Sequence, residues 1–248
     1  MTSILANFTH KLALQWKKVT CILTLALVLS GCGSTSASKP DNYAEIDSIL
    51  SAMPAYVAIK KQDPAAYERI ASTMSGLKPD RSNYNQLLAE TSEELYAFIE
   101  PRLAHASDEA LTEYMELQVD KMEVLKAKGD GLCYQFLVQD PNGPVVSHRN
   151  FSRDLVKRDM ETLKEVIETS ETKRPIADFE NVLPSIEIIF FTLEQKYGDD
   201  VEMLDNLELA SQKKEVYCDM LIDMYDELFA LPSQDSIDTL RWLMSEEE

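Results

Sequence analysis

The chain has 248 residues, 45% hydrophobic and 27% charged, with 43 Asp and Glu against 24 Lys and Arg for a formal charge of −19. That balance supports a packed core and excludes wholesale disorder, while the negative charge opposes any role that tracks nucleic-acid phosphates. Only seven residues are Gly and no Gly-rich phosphate loop is present, which weakens nucleotide-dependent chemistry as well.

The first segment, Met1 to Lys18, holds Lys11, Lys17 and Lys18 and no acidic residue, and the apolar run Val19 to Leu29 follows it. Eleven residues are too few to span a bilayer as a helix. A basic start, a short apolar centre and small residues after it make a secretory signal. Here the end reads Leu29-Ser30-Gly31-Cys32, which resembles the lipobox of bacterial lipoproteins. The resemblance implies cleavage before Cys32, a diacylglycerol joined to its thiol, and acylation of the new amino terminus. Each buried lipid methylene contributes roughly 0.8 kcal/mol, so two or three acyl chains hold a protein to a membrane where one does not. Gly33 follows the lipidated position, where an Asp in Gram-negative lipoproteins retains the protein in the inner membrane. The resemblance therefore implies a protein of the cell envelope, lipid-anchored in the outer membrane and facing the periplasm.

Three parts follow: a signal peptide over residues 1–31, a lipidated tether over 32–42, and a helical, periplasm-facing domain over 43–248. The tether is small and polar, with nothing to bury. Without residues 1–31 the chain keeps 21 basic and 43 acidic residues, a charge of −22 that sets it against anionic lipid everywhere except at its anchor.

Cys21 lies in the discarded run and Cys32 takes the lipid, which leaves Cys133 and Cys218. In an oxidising compartment this pair reads as one disulfide closing a loop of 85 residues (218 − 133). Two buried free thiols or a redox pair are the alternatives, the latter without Cys-x-x-Cys spacing.

Along the mature chain the apolar residues recur at helical spacing, and alternating Val, Ile and Thr runs are missing, so the predicted fold is all-α, a bundle of about seven to nine helices. Asp41 caps a helix with Ile46 and Leu50, Pro54 interrupts it, and Asp63-Pro64 starts another that Gly76 stops. Ser82 opens a helix with Leu95 and Phe98 inward, disturbed at Pro101. Ser107 caps an amphipathic helix with Leu111, Tyr114, Met115, Val119, Met122 and Leu125 inward, and Glu109, Glu113, Glu116 and Asp120 in water. Leu132 to Val138 forms a short apolar piece before a turn at Asp140 to Pro144. Ser152 caps the next helix, and Asp178 precedes one ending at Gly198. The latter is apolar nearly all round, which places it in the bundle centre. A last long helix over Val216 to Leu231 ends at Pro232, before a short one leading to the acidic tail Glu246 to Glu248. Met53-Pro54 against Leu183-Pro184, and Glu94 to Ala97 against Glu227 to Ala230, raise the prospect of two duplicated halves.

No catalytic set emerges. The mature chain has two His, His105 and His148, and no Gly-x-Ser-x-Gly elbow. Its Ser-x-x-Lys matches, Ser36/Lys39, Ser170/Lys173 and Ser211/Lys214, lie in unrelated places. Metal motifs are absent, and Asp199, Asp200, Glu202 and Asp205 suit the start of a helix through its dipole as well as they suit Ca²⁺. No cofactor is implied. The many Met residues read as core filling before any copper site or adaptable peptide groove. The remaining candidate is a ridge of carboxylates, Glu215, Asp219, Asp223 and Asp226, which a basic protein could read and which otherwise is a solvated face. The expectation is a non-catalytic acidic module that binds another protein, in the manner of an immunity or inhibitor protein. The second expectation is an envelope-assembly or structural factor that holds lipid or peptidoglycan fragments between its helices. No nucleic acid is expected as partner, and the sequence leaves the oligomeric state open.

Overall fold

The computed structural model describes residues 42–76, 84–140 and 143–245, with residues 84–93 as backbone only. The signal segment, Cys32, the tether before Asn42, the caps at Asp41 and Ser82, residues 141 and 142 of the turn, and the acidic tail lie outside the described residues.

The described residues are all-α, with eleven α-helices and no strand. They are α1 (Tyr43–Leu50), α2 (Pro54–Gln62), α3 (Pro64–Gly76), α4 (Tyr84–Leu103), α5 (Asp108–Lys128), α6 (Leu132–Val138), α7 (Arg153–Thr169), α8 (Phe179–Tyr197), α9 (Leu207–Gln212), α10 (Lys214–Ala230) and α11 (Ser233–Met244). The count exceeds the expected seven to nine because the short apolar piece Leu132–Val138 is itself a helix and because α9 separates from α10 at Lys213.

The punctuation works as its chemistry requires. Asp63 Oδ1 accepts a hydrogen bond from the Ala66 N–H at 2.9 Å, Ser107 Oγ from Ala110 at 3.1 Å, and Ser152 Oγ from Leu155 at 3.1 Å, each satisfying a donor that the helix start leaves open. Pro54 and Pro64 open their helices, where a missing N–H costs nothing. Pro101 is carried inside α4, which ends two residues later at Leu103. The motifs that hinted at duplication occupy different positions, since Pro54 starts α2 whereas Pro184 lies inside α8.

α5 is the spine. It packs against α7 on one side and against α6, α10 and α11 on others, and Leu111, Met115, Leu117, Met122 and Leu125 are fully buried along it. Burying one such side chain contributes about 1.5 to 3 kcal/mol. α2 lies along α7, where Gln62 Nε2 donates to the Ile167 carbonyl at 2.6 Å and closes the end of that helix. One principal core takes side chains from every helix, and Met115, Met122, Met203, Met220 and Met224 fill it.

Two placements correct the sequence reading. α8 is peripheral: it packs against α10 and α11, burying Val182, Ile186, Ile189 and Leu193, while Ile188 and Phe191 are 56% and 59% exposed on its outer side. Apolar residues on nearly every side therefore do not mark a central helix here, since the outer stripe is uncovered among the described residues. The supposedly wet face of α5 is partly engaged, since Arg158 of α7 reaches Glu113 at 2.7 Å and also pairs with Asp120. Beside it Lys121, 5% exposed, bonds Asp159 at 2.5 Å.

Candidate functional site

The ridge on α10 begins with geometry: residues 215, 219, 223 and 226 fall on one helix face at spacings of four, four and three. Glu215 and Asp226, at its ends, are exposed; Asp219 and Asp223, at its middle, are half-buried. Asp219 is paired with Lys126 of α5 at 2.6 Å, and Asp223 with Lys196 of α8 at 2.5 Å; Asp223 also accepts a hydrogen bond from the Tyr197 hydroxyl. That bond and burial together push the Tyr197 phenol above its ordinary value, burial contributing most. The middle of the ridge therefore holds α5 and α8 to α10, and only its ends remain for an outside cation. The sequence could not supply this, because Lys126 lies more than 90 residues from Asp219 and nothing local marks it as a neighbour.

Cys218 lies on the buried side of α10, beside the ridge. Its sulfur and that of Cys133 on α6 lie within bonding distance, with Cα atoms 6.0 Å apart, inside the usual range for a disulfide. The route to this position depends on the α5–α6 turn. Gly129, Asp130 and Gly131 have φ of 73°, 57° and 66°, a left-handed run that reverses the chain and that two glycines make accessible. A Cβ on Gly131 would also meet Lys214 Cδ at 3.3 Å. Around the pair, the Tyr134 and Tyr217 rings meet edge to face with centroids 5.8 Å apart, and Lys214 Nζ lies 5.2 Å from the Tyr134 centroid.

The candidates for catalysis are dispersed. His105 follows α4 and His148 opens a single 3₁₀ turn between α6 and α7. The Ser170 hydroxyl donates to the Ile167 carbonyl at 3.0 Å and that of Ser211 to the Glu208 carbonyl at 2.7 Å, so both serve local backbone. Ser36 and Lys39 lie outside the described residues. Asp199 and Asp200 occupy the first turn of a 3₁₀ segment, Gly198–Leu204, as the dipole favours, and Asp200 is bound by Lys213 at 2.5 Å. Among the described residues no three His, Cys, Asp or Glu side chains converge as metal ligands.

One polar feature was missed. Arg241 of α11, 4% exposed, donates from Nη1 to the Ala104 carbonyl at 2.7 Å and from Nη2 to the Ala106 carbonyl at 2.8 Å, and pairs with Asp108 at 2.5 Å. A single planar guanidinium thus satisfies the carbonyls of the α4–α5 turn and the acid at the start of α5. The only sequence signal was a charge inside an apolar stripe, between Leu240 and Trp242.

No family model matches the chain, and neither curated proteins nor solved structures give a match. No helix among the described residues is long and apolar enough to cross a membrane.

Proposed function

We propose that the chain is a lipid-anchored envelope protein whose helical domain binds another protein and performs no catalysis, an acidic module of the immunity or inhibitor kind held by a lipid at Cys32 on the periplasmic side of the outer membrane. The observation that carries this reading is the charge of the part beyond the lipobox, 43 carboxylates against 21 cations, on a helical body that follows a short polar stretch of sequence. Such a body is repelled by anionic lipid and attracts basic protein surfaces, which raises the rate of encounter with them. The Cys133–Cys218 pair supports the compartment, because disulfides persist where the surroundings are oxidising. Glu215 and Asp226 are the exposed ridge carboxylates that remain for a basic partner.

The test is affinity capture with the full-length, lipid-carrying protein from solubilised envelope, at about 50 and about 500 mM salt. The reading expects a specific basic protein that is retained at low salt and released at high salt, as screened surface charges require. Recovery of no salt-sensitive protein refutes it.

A further inference from the structure

α8 bears the two most exposed large apolar side chains among those described, Ile188 at 56% and Phe191 at 59%. Three residues apart, they share one helix face, and exposed Pro184, four residues before Ile188, continues it. Helix formation does not ask for them: Ile and Phe are poorer helix formers than Lys, Glu or Ala at an exposed position. Nor does the core, since Ile186, Ile189 and Leu193 already fasten the helix from its other side. The stripe has an acidic edge. Glu187 lies four residues before Phe191, Glu194 three after it, and Glu180 four before Pro184, all exposed. Lys196, the one cation of this helix, is turned to α10 by its 2.5 Å pair with Asp223.

We propose that this face of α8 is the docking site for an amphipathic segment of a basic protein, with an apolar anchor seated on Ile188 and Phe191 and Lys or Arg opposite Glu180, Glu187 and Glu194. The proposal rests on the protein-binding reading and names its surface. Charge decides between occupants. A second copy of the chain would bring this Glu edge against its own like charges, on bodies of −22 each. An anionic leaflet meets the same repulsion. Only a cationic partner gains from the edge while covering the apolar stripe. Exposed aliphatic and aromatic side chains bordered by polar ones are also the usual anatomy of a protein interface.

The probe is a synthetic helix-forming peptide with Leu at i, i+4 and i+7 and Lys on the flanks, labelled for fluorescence anisotropy. Its controls are a counterpart with Glu in place of Lys and phosphatidylglycerol vesicles, with the full-length protein carried in zwitterionic nanodiscs. The Lys peptide is expected to bind, and the Glu peptide to bind at least about tenfold more weakly. Ile188→Ser with Phe191→Ser is expected to weaken the Lys peptide about tenfold or more, the loss typical of a truncated interface anchor. Glu187→Gln with Glu194→Gln should flatten the salt dependence. Both positions face solvent, so an unchanged urea midpoint shows that each variant is folded. The proposal is overturned if the double Ser variant binds the Lys peptide as well as the parent does. It is also overturned if the parent binds the vesicles, or dimerises, through this face. Capture from envelope separates the two claims: a salt-sensitive partner that the double Ser variant still retains retires this face alone, and no such partner at all retires the protein-binding reading.

Discussion

Replacing Cys133 and Cys218 together by Ala removes the crosslink between α6 and α10, and its cost follows from the loop it closes. For 85 residues the chain-entropy relation gives about 4 to 5 kcal/mol at 25 °C, as an upper figure. A domain of this size is stable by only about 5 to 15 kcal/mol, so the loss is a large share of the total. With a urea slope of about 2 to 3 kcal/mol per molar, the midpoint should fall by about 2 M. The first place to loosen is α6, whose seven residues are too few to hold a helix without tertiary support. Urea unfolding followed by far-UV circular dichroism, on the native protein, on the reduced protein and on the double variant, measures the shift; hydrogen exchange locates it. The reduced protein and the variant should agree. A midpoint that moves by less than about 0.3 M in both would show that no such crosslink stabilises the fold, and so would free thiols titrating at these positions in the unreduced, denatured protein.

Other outcomes follow from the buried polar groups. Tyr114, Tyr217 and Tyr225 are held above the ordinary phenol range by burial, and Tyr56 is pushed up to about 12 by the same cause. The unfolded chain ionises its tyrosines first, near pH 10, so their contribution is complete below that pH. Each then takes away about 1.4 kcal/mol per pH unit as pH rises toward its folded value. Phenolate absorbance at these residues should therefore appear together with loss of helix above pH 10, and titration of these four near pH 10 in a fully helical protein, identified by Tyr→Phe variants, would contradict this. Arg241→Ala leaves the Ala104 and Ala106 carbonyls without their donor and should cost about 3 kcal/mol, with Arg241→Lys recovering only part because an ammonium lacks the planar fork. Asp159→Asn leaves the Lys121 ammonium buried without its counter-charge and should cost about 3 kcal/mol in urea melts. Replacing the pair by Met and Leu should recover most of that loss, and equal costs for the single and double changes would argue against a desolvated pair.

Local chemistry was legible and long-range pairing was not. Asp63, Ser107 and Ser152 announce their helices because a cap needs only a side-chain oxygen three residues before a free N–H. The apolar stripe of α5 was legible for a similar reason, since helical period alone puts Leu111, Met115 and Met122 on one side. α9 and the 3₁₀ segment before it were missed because six or seven residues hold too little period to read. The position of α8 was misread because a stripe apolar on all sides fits both a helix covered by its own chain and one whose outer face awaits a partner. The pairing within the ridge on α10 was hidden for the opposite reason: carboxylates at wet spacing look free until Lys126 and Lys196 arrive from other helices.

Whether Cys32 carries lipid is decided by intact mass spectrometry of the native protein, purified from membranes in detergent. The expected species starts at Cys32 and carries a diacylglyceryl group on its sulfur, an additional acyl chain on its amino group, and one disulfide. A chain that starts at Met1 with no lipid attached would contradict lipidation at Cys32.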